Sequence, residues 1–165
     1  IQNNFFRMKK NLEAYSETLF HLINFRYRTF VDSKNFVGVD YDSFMIISTI
    51  GAHYLYHNTK NGSTWDSVWE QTRSKIIDET YSKKKLTIFA VASLLSLPKE
   101  TVRRKIEILK KKKFILYSTK NGLLPTEKIE EIMKPYAKRE LKSLSKFLQQ
   151  LEKHKALNQL LSLKD

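Results

Sequence analysis

The sequence predicts a mainly α-helical protein with one small β-hairpin, flanked by long N- and C-terminal helices. Three observations carry that expectation. Apolar residues recur at three- and four-residue steps along most of the 165 residues. There are only four glycines, too few for a fold built from many tight turns. One stretch, residues 114–124, leaves the helical period and reads as strand, turn and strand. With 41% hydrophobic and 12% aromatic residues, the chain can bury a core.

The elements follow in order. Over residues 5–30, Leu12, Tyr15, Leu19, Leu22, Ile23 and Phe30 form one wide helical stripe, suited to core packing or to a dimer seam. Residues 32–40 (DSKNFVGVD) carry turn formers and read as a loop. Asp40 or Asp42 then caps a helix whose run 44–56 (FMIISTIGAHYLY) is apolar nearly all round, so it should be deeply buried. That run has 13 residues, short of the ~20 a membrane span needs. Residues 58–62 (NTKNG) end it. Ser63 or Thr64 caps a third helix with Trp65, Val68, Trp69 and Ile76 on one face.

From Leu86 the pattern tightens. Thr87 is a candidate N-cap for a short apolar helix over 88–95. Ser96, Leu97 and Pro98 make a turn, and a second helix runs from Pro98 to about Lys112. Its inner face is Val102, Ile106 and Leu109. Residues 114–118 form a strand. Asn121 and Gly122 form the hairpin turn, because both accept positive φ, and Leu123 and Leu124 return. Thr126 caps a helix through Met133, which Pro135 breaks or kinks. A last long helix runs from Tyr136 to about Leu163. Leu141, Leu144, Leu148 and Leu151 form a short seam of coiled-coil spacing.

Charge is localised. The chain has a formal net charge of +13, which points to a polyanionic partner. Residues 83–120 hold twelve bases against two acids, Glu100 and Glu107, a net +10. The remainder is close to neutral. A patch of this kind is the electrostatic footprint of a nucleic-acid binder. A lysine run such as that at 110–113 is otherwise an ordinary solvated helix end, favoured by the helix dipole.

Residues 91–106, VASLLSLPKETVRRKI, resemble the helix-turn-helix of bacterial regulators. Ala92 stands where that family needs a small residue at the helix crossing. Leu95, Leu97 and Val102 stand at its locking apolar positions. Ile106, Leu109, Phe114, Ile115 and the Asn121–Gly122 hairpin extend the likeness to a winged helix-turn-helix over residues 86–127. Two departures stand out: Ser96 replaces the frequent turn glycine, and Lys112 with Lys113 replaces the glycine that often ends the recognition helix. Long flanking helices make the layout look like the MarR class of dimeric regulators. The resemblance implies three regions: 1–82 as a dimerisation scaffold, 83–127 as the winged helix-turn-helix, and 128–165 as further dimerisation helices.

It also implies double-stranded DNA as partner, with the helix at 98–112 in the major groove. Lys99, Arg103 and Arg104 would donate to guanine or phosphate. Glu100 would pair with Arg104 four residues on, or accept from cytosine N4. Thr101 suits a phosphate near the helix start. Lys120 and Asn121 at the wing tip reach the minor groove or backbone, and Lys84 and Lys85 touch a phosphate strand. The expected protein is a homodimeric transcriptional regulator, cytoplasmic, with any small-molecule effector unspecified. The alternative is a winged-helix interaction module in a larger complex.

Catalysis finds no support. No cysteine is present, and no P-loop, GxSxG or paired-carboxylate signature stands out. His53 and His57 have a metal-compatible spacing but lack the glutamate of HExxH and read as structural. His21 and His154 are isolated in sequence. The expectation is therefore no enzyme, no metal, no cofactor and no membrane association.

Overall fold

The computed structural model describes residues 14–58 and 85–162. The expected helix with Trp65 and Trp69 lies outside these residues, as does Lys84. The elements are α1 (Ala14–Asp32), a π-helical turn (Ser33–Val37), α2 (Tyr41–Asn58), α3 (Ile88–Leu95), α4 (Lys99–Lys111), β1 (Ile115–Ser118), β2 (Gly122–Pro125), α5 (Glu127–Lys153) and α6 (Leu157–Leu161). The described protein is thus mainly helical, with one two-stranded antiparallel sheet.

The chain forms two compact units. One is Asp32–Lys138; the other joins Ile1–Val31 to Arg139–Asp165. These units cut across the boundaries expected at 82 and 127. The reason lies in α2, which is apolar on nearly every side and cannot stand in a separate scaffold. Its Phe44, Ile46, Ile47 and Ile50 share one core with Val91, Val102, Ile106, Leu109, Leu123 and Tyr136. Asp40 caps α2, accepting from the Ser43 backbone N–H at 3.0 Å. Residues 32–40 are more ordered than a loop. The π-helical turn buries Ser33 and Val37, and Gly38 closes it at φ +69°.

Local chemistry accounts for the next elements. The Thr87 hydroxyl accepts from the Ala90 N–H at 3.1 Å and starts α3. Ser96 ends α3 in the left-handed region at φ 52°. The Leu97 N–H reaches the Ala92 carbonyl at 3.0 Å, and the Ser96 N–H reaches Ser93. That pair of bonds is a Schellman motif, normally built on glycine. The same device ends α4. Lys113 takes φ 59°, while the Phe114 N–H bonds the Leu109 carbonyl and the Lys113 N–H bonds Lys110. Ser96 and Lys113 therefore adopt the glycine-like backbone without glycine, while Lys112 stays right-handed.

The hairpin differs from expectation in register. Ser118 pairs with Gly122, so the loop is Thr119, Lys120 and Asn121. Asn121 does not take positive φ; Gly122 does, at +76°. A three-residue loop closed by a left-handed glycine replaces the two-residue Asn-Gly turn. The cause is tertiary. The Leu123 N–H bonds the Leu86 carbonyl at 2.9 Å, so residues 85–87 run beside β2. A Cβ on Gly122 would meet the Leu86 carbonyl at 2.5 Å, which only glycine avoids.

Thr126 fits the cap expected of it. Its hydroxyl accepts from the Ile129 N–H at 3.4 Å and donates to the Lys113 carbonyl at 2.7 Å. Pro135 does not break the helix: α5 runs unbroken through it. Proline removes one ladder bond and strains the turn, at a cost of ~3 kcal/mol. Ile129 and Tyr136 sit on either side of that position, both buried in one core. Tyr136 also packs edge-on against Phe44 at 5.2 Å. Packing on both flanks outweighs the local cost. In the same region, burial and then the Glu130 charge push the Tyr54 hydroxyl up to about 12.

The other unit is helical. Phe25 stacks on Phe147 at 5.6 Å. Of the leucine seam, Leu151 is buried while Leu141 and Leu148 are exposed. The long helix ends at Lys153 rather than near 163. Lys155 turns left-handed at φ 57°, and the Ala156 N–H reaches the Leu151 carbonyl at 2.9 Å. Among the described residues, no helix is long and apolar enough to cross a membrane.

Candidate nucleic-acid interface

Helix α4 has a sharp division of faces. Val102, Ile106 and Leu109 are fully buried, as their spacing requires. At ~100° per residue, Arg104 stands about half a turn from that line. Lys99, Glu100, Arg103 and Arg104 are all exposed, and Thr101 is half-buried. Pro98 at the start of α4 supplies no side-chain cap. The first-turn N–H groups therefore rely on other partners, which makes this end suited to an anion.

The cations on this helix divide by partner. Arg103 pairs with Glu100 through two hydrogen bonds, Nε to Oε2 at 2.9 Å and Nη2 to Oε1 at 2.6 Å. Sequence spacing had pointed to Arg104 as the partner; the structure selects Arg103, three residues on. The planar guanidinium reaches both carboxylate oxygens from there. That bond, chiefly, holds the Glu100 carboxyl below its usual range and raises the Arg103 pKa. Arg104 and Lys99 make no hydrogen bond or ion pair among the described residues. An unpaired Arg104 beside a paired Arg103 could not be told apart in the sequence.

Lys105 has a different role. Its ammonium lies 2.6 Å from Asp40 and 3.5 Å from Asp42, clamping α4 to the start of α2. Burial opposes the Asp40 charge, but the Lys105 and Ser43 hydrogen bonds outweigh it and hold the carboxyl at about 2. At the far end, Lys110 pairs with Glu107 at 3.1 Å. Lys112 and Lys128 lie over the Phe114 ring at 5.9 and 5.3 Å. These lysines hold the helix end in place.

The loop between the strands carries a second group of the expected residues. Lys120 is exposed, and the Asn121 N–H donates to the Ser118 hydroxyl at 3.0 Å. Lys85, expected on a phosphate strand, donates to the Thr119 carbonyl at 3.0 Å. It is thereby brought to the loop tip, with Lys120 one residue further on. So the structure gathers Lys85, Lys120 and Asn121 at the hairpin and Lys99, Glu100, Thr101, Arg103 and Arg104 on α4.

One grouping escaped the sequence. Glu17, His21 and His154 lie together in the smaller unit. The Glu17–His21 spacing of four was a readable half-signal on a helix; nothing marked His154 as its neighbour. No known family, curated protein or solved structure matches this chain.

Proposed function

We propose that the protein is a sequence-specific DNA-binding transcriptional regulator built on a winged helix-turn-helix. In this reading α3 and α4 are the helix pair, β1 and β2 the wing, and α4 enters the major groove. The single observation that supports it best is the outward face of α4: Arg104 and Lys99 exposed, a Glu100–Arg103 pair beside them, and a first turn without a side-chain cap. Phosphate contacts supply most of the affinity, and Arg104 with Glu100 supplies base choice. The exposed Glu100–Arg103 pair sets a carboxylate beside a guanidinium, and either can turn to a cytosine or guanine edge. The proposal includes a homodimer. An exposed apolar line on α1 (Tyr15, Leu19, Ile23, Tyr27 and Phe30) is the surface a second copy would cover.

Selection of bound sequences from a random DNA pool tests the reading. An enriched motif with two-fold symmetry supports both regulator and dimer. A pool that stays random, with no binding at low salt, overturns it. The interaction-module alternative draws on a separate observation. Phe89 and Leu94 are 67% and 69% exposed on α3, where a DNA-binding helix pair gains nothing from bare apolar side chains.

A further inference from the structure

The geometry points to a divalent transition-metal site, best suited to zinc, formed by Glu17, His21 and His154. It does not depend on the DNA-binding reading. Glu17 and His21 are four residues apart on α1, so both project from one face. The same spacing places two ligands on one ion in helical metal motifs. His154 arrives just past the end of α5. Its backbone N–H bonds the Gln150 carbonyl at 3.1 Å, and the left-handed Lys155 follows. Leu151 and Ala156, both buried, anchor that turn. The third ligand thus sits on a fixed backbone rather than on a loose tail.

The ligand atoms of the three side chains all lie within 4.8 Å of one another. His154 Nδ1 is 2.8 Å from Glu17 Oε2. The two imidazole rings stack at 5.7 Å with an interplanar angle of 24°. Zinc–nitrogen and zinc–oxygen bonds of ~2.0–2.2 Å put tetrahedral ligand atoms roughly 3–3.5 Å apart, which small side-chain rotations reach from here. All three residues are half-buried, so an ion can enter and still meet a partly dehydrated environment. Any proton shared across the 2.8 Å between His154 Nδ1 and Glu17 Oε2 leaves to solvent when the ion binds.

Two imidazoles and one carboxylate favour zinc or its neighbours and disfavour magnesium and calcium, which want oxygen ligands. Three protein ligands leave a fourth position for water. The effect on the fold is a clamp: one ion ties α1 to the end of α5.

The test uses the full chain, stripped of metal by chelator. It is titrated with Zn2+ against a chromophoric chelator while the imidazole NMR signals of its four histidines are followed. The expected result is about one ion per chain, with the His21 and His154 signals shifting and the His53 signal unmoved. Mg2+ should shift none of them. Glu17→Gln and His21→Gln should each weaken Zn2+ binding roughly tenfold or more, with helical content unchanged. His53→Gln should bind as the wild type does. No binding by the wild type overturns the proposal. So do Zn2+ shifts confined to His53 or His57, a reading that needs no variant to fold. Equal affinity in the doubly substituted Glu17→Gln/His21→Gln chain overturns it as well.

Discussion

The two ends of α4 carry similar positive charge and are wired differently. At the N-terminal end, Lys99 and Arg104 are exposed with no hydrogen bond or ion pair among the described residues, and Arg103 is paired with Glu100. At the other end, Lys110 is paired with Glu107 and Lys112 lies over Phe114. The Lys112 carbonyl also accepts from the Lys128 ammonium at 2.9 Å, and Lys113 bends the chain left-handed. Of the lysine run at 110–113, Lys110 and Lys112 are engaged by neighbours, while Lys111 and Lys113 are exposed with no side-chain partner among the described residues. Charge density alone therefore does not mark a binding face. In the proposed reading, what sets the N-terminal end apart is exposed cations beside first-turn backbone donors that no side chain caps.

Breaking the scaffold that presents the first end should have the largest effect. Gly122→Ala places a Cβ against the Leu86 carbonyl at a residue with φ +76°. It should cost about 3 kcal/mol or more in chemical denaturation. A loss under about 1 kcal/mol would mean that the contact between β2 and residues 85–87 is looser than described.

The clamp between α4 and α2 gives a pH signature. The folded Asp40 carboxyl, at about 2, lies below its usual 3.8, so its contribution to stability is present above pH ~4. It is lost as pH falls from ~4 towards ~2. Asp40→Asn should therefore destabilise the protein at pH 7, and the gap to wild type should close near pH 2. A gap independent of pH, measured by urea unfolding at both values, would contradict the Lys105–Asp40 pairing.

The smallest effect should fall at the other end of α4. Lys113→Gly removes a left-handed lysine and should stabilise by about 0.5–1 kcal/mol. DNA affinity should change little, since Lys113 helps end the helix. A marked loss of affinity would move the binding face toward the lysine run and break the comparison.

Local chemistry was legible in the sequence. The caps at Thr87, Thr126 and Asp40, the turn at Ser96, and the inner face of Val102, Ile106 and Leu109 depend on neighbours within a few residues. What was illegible depends on distant partners. Pro135 stays helical because Ile129 and Tyr136 are both held in the core. The hairpin shifts register because Leu86 bonds Leu123. α2 joins the α4 core, which no linker signal announced. At the site, exposure of Lys99, Arg103 and Arg104 followed from helical period, but Glu100 choosing Arg103 over Arg104 depends on rotamers. His21 and His154 meet through folding alone.

The most direct test compares one cation from each end of α4 on DNA. Arg104→Ala and Lys112→Ala would be titrated by gel shift against the sequence recovered from the random pool and against a scrambled duplex. The account predicts a loss of ~1–3 kcal/mol for Arg104→Ala on the selected sequence, with its preference over the scrambled duplex reduced. Lys112→Ala should leave that preference intact. Equal losses for the two variants, or an unchanged Arg104→Ala, would contradict the assignment of the reading face to the N-terminal end of α4.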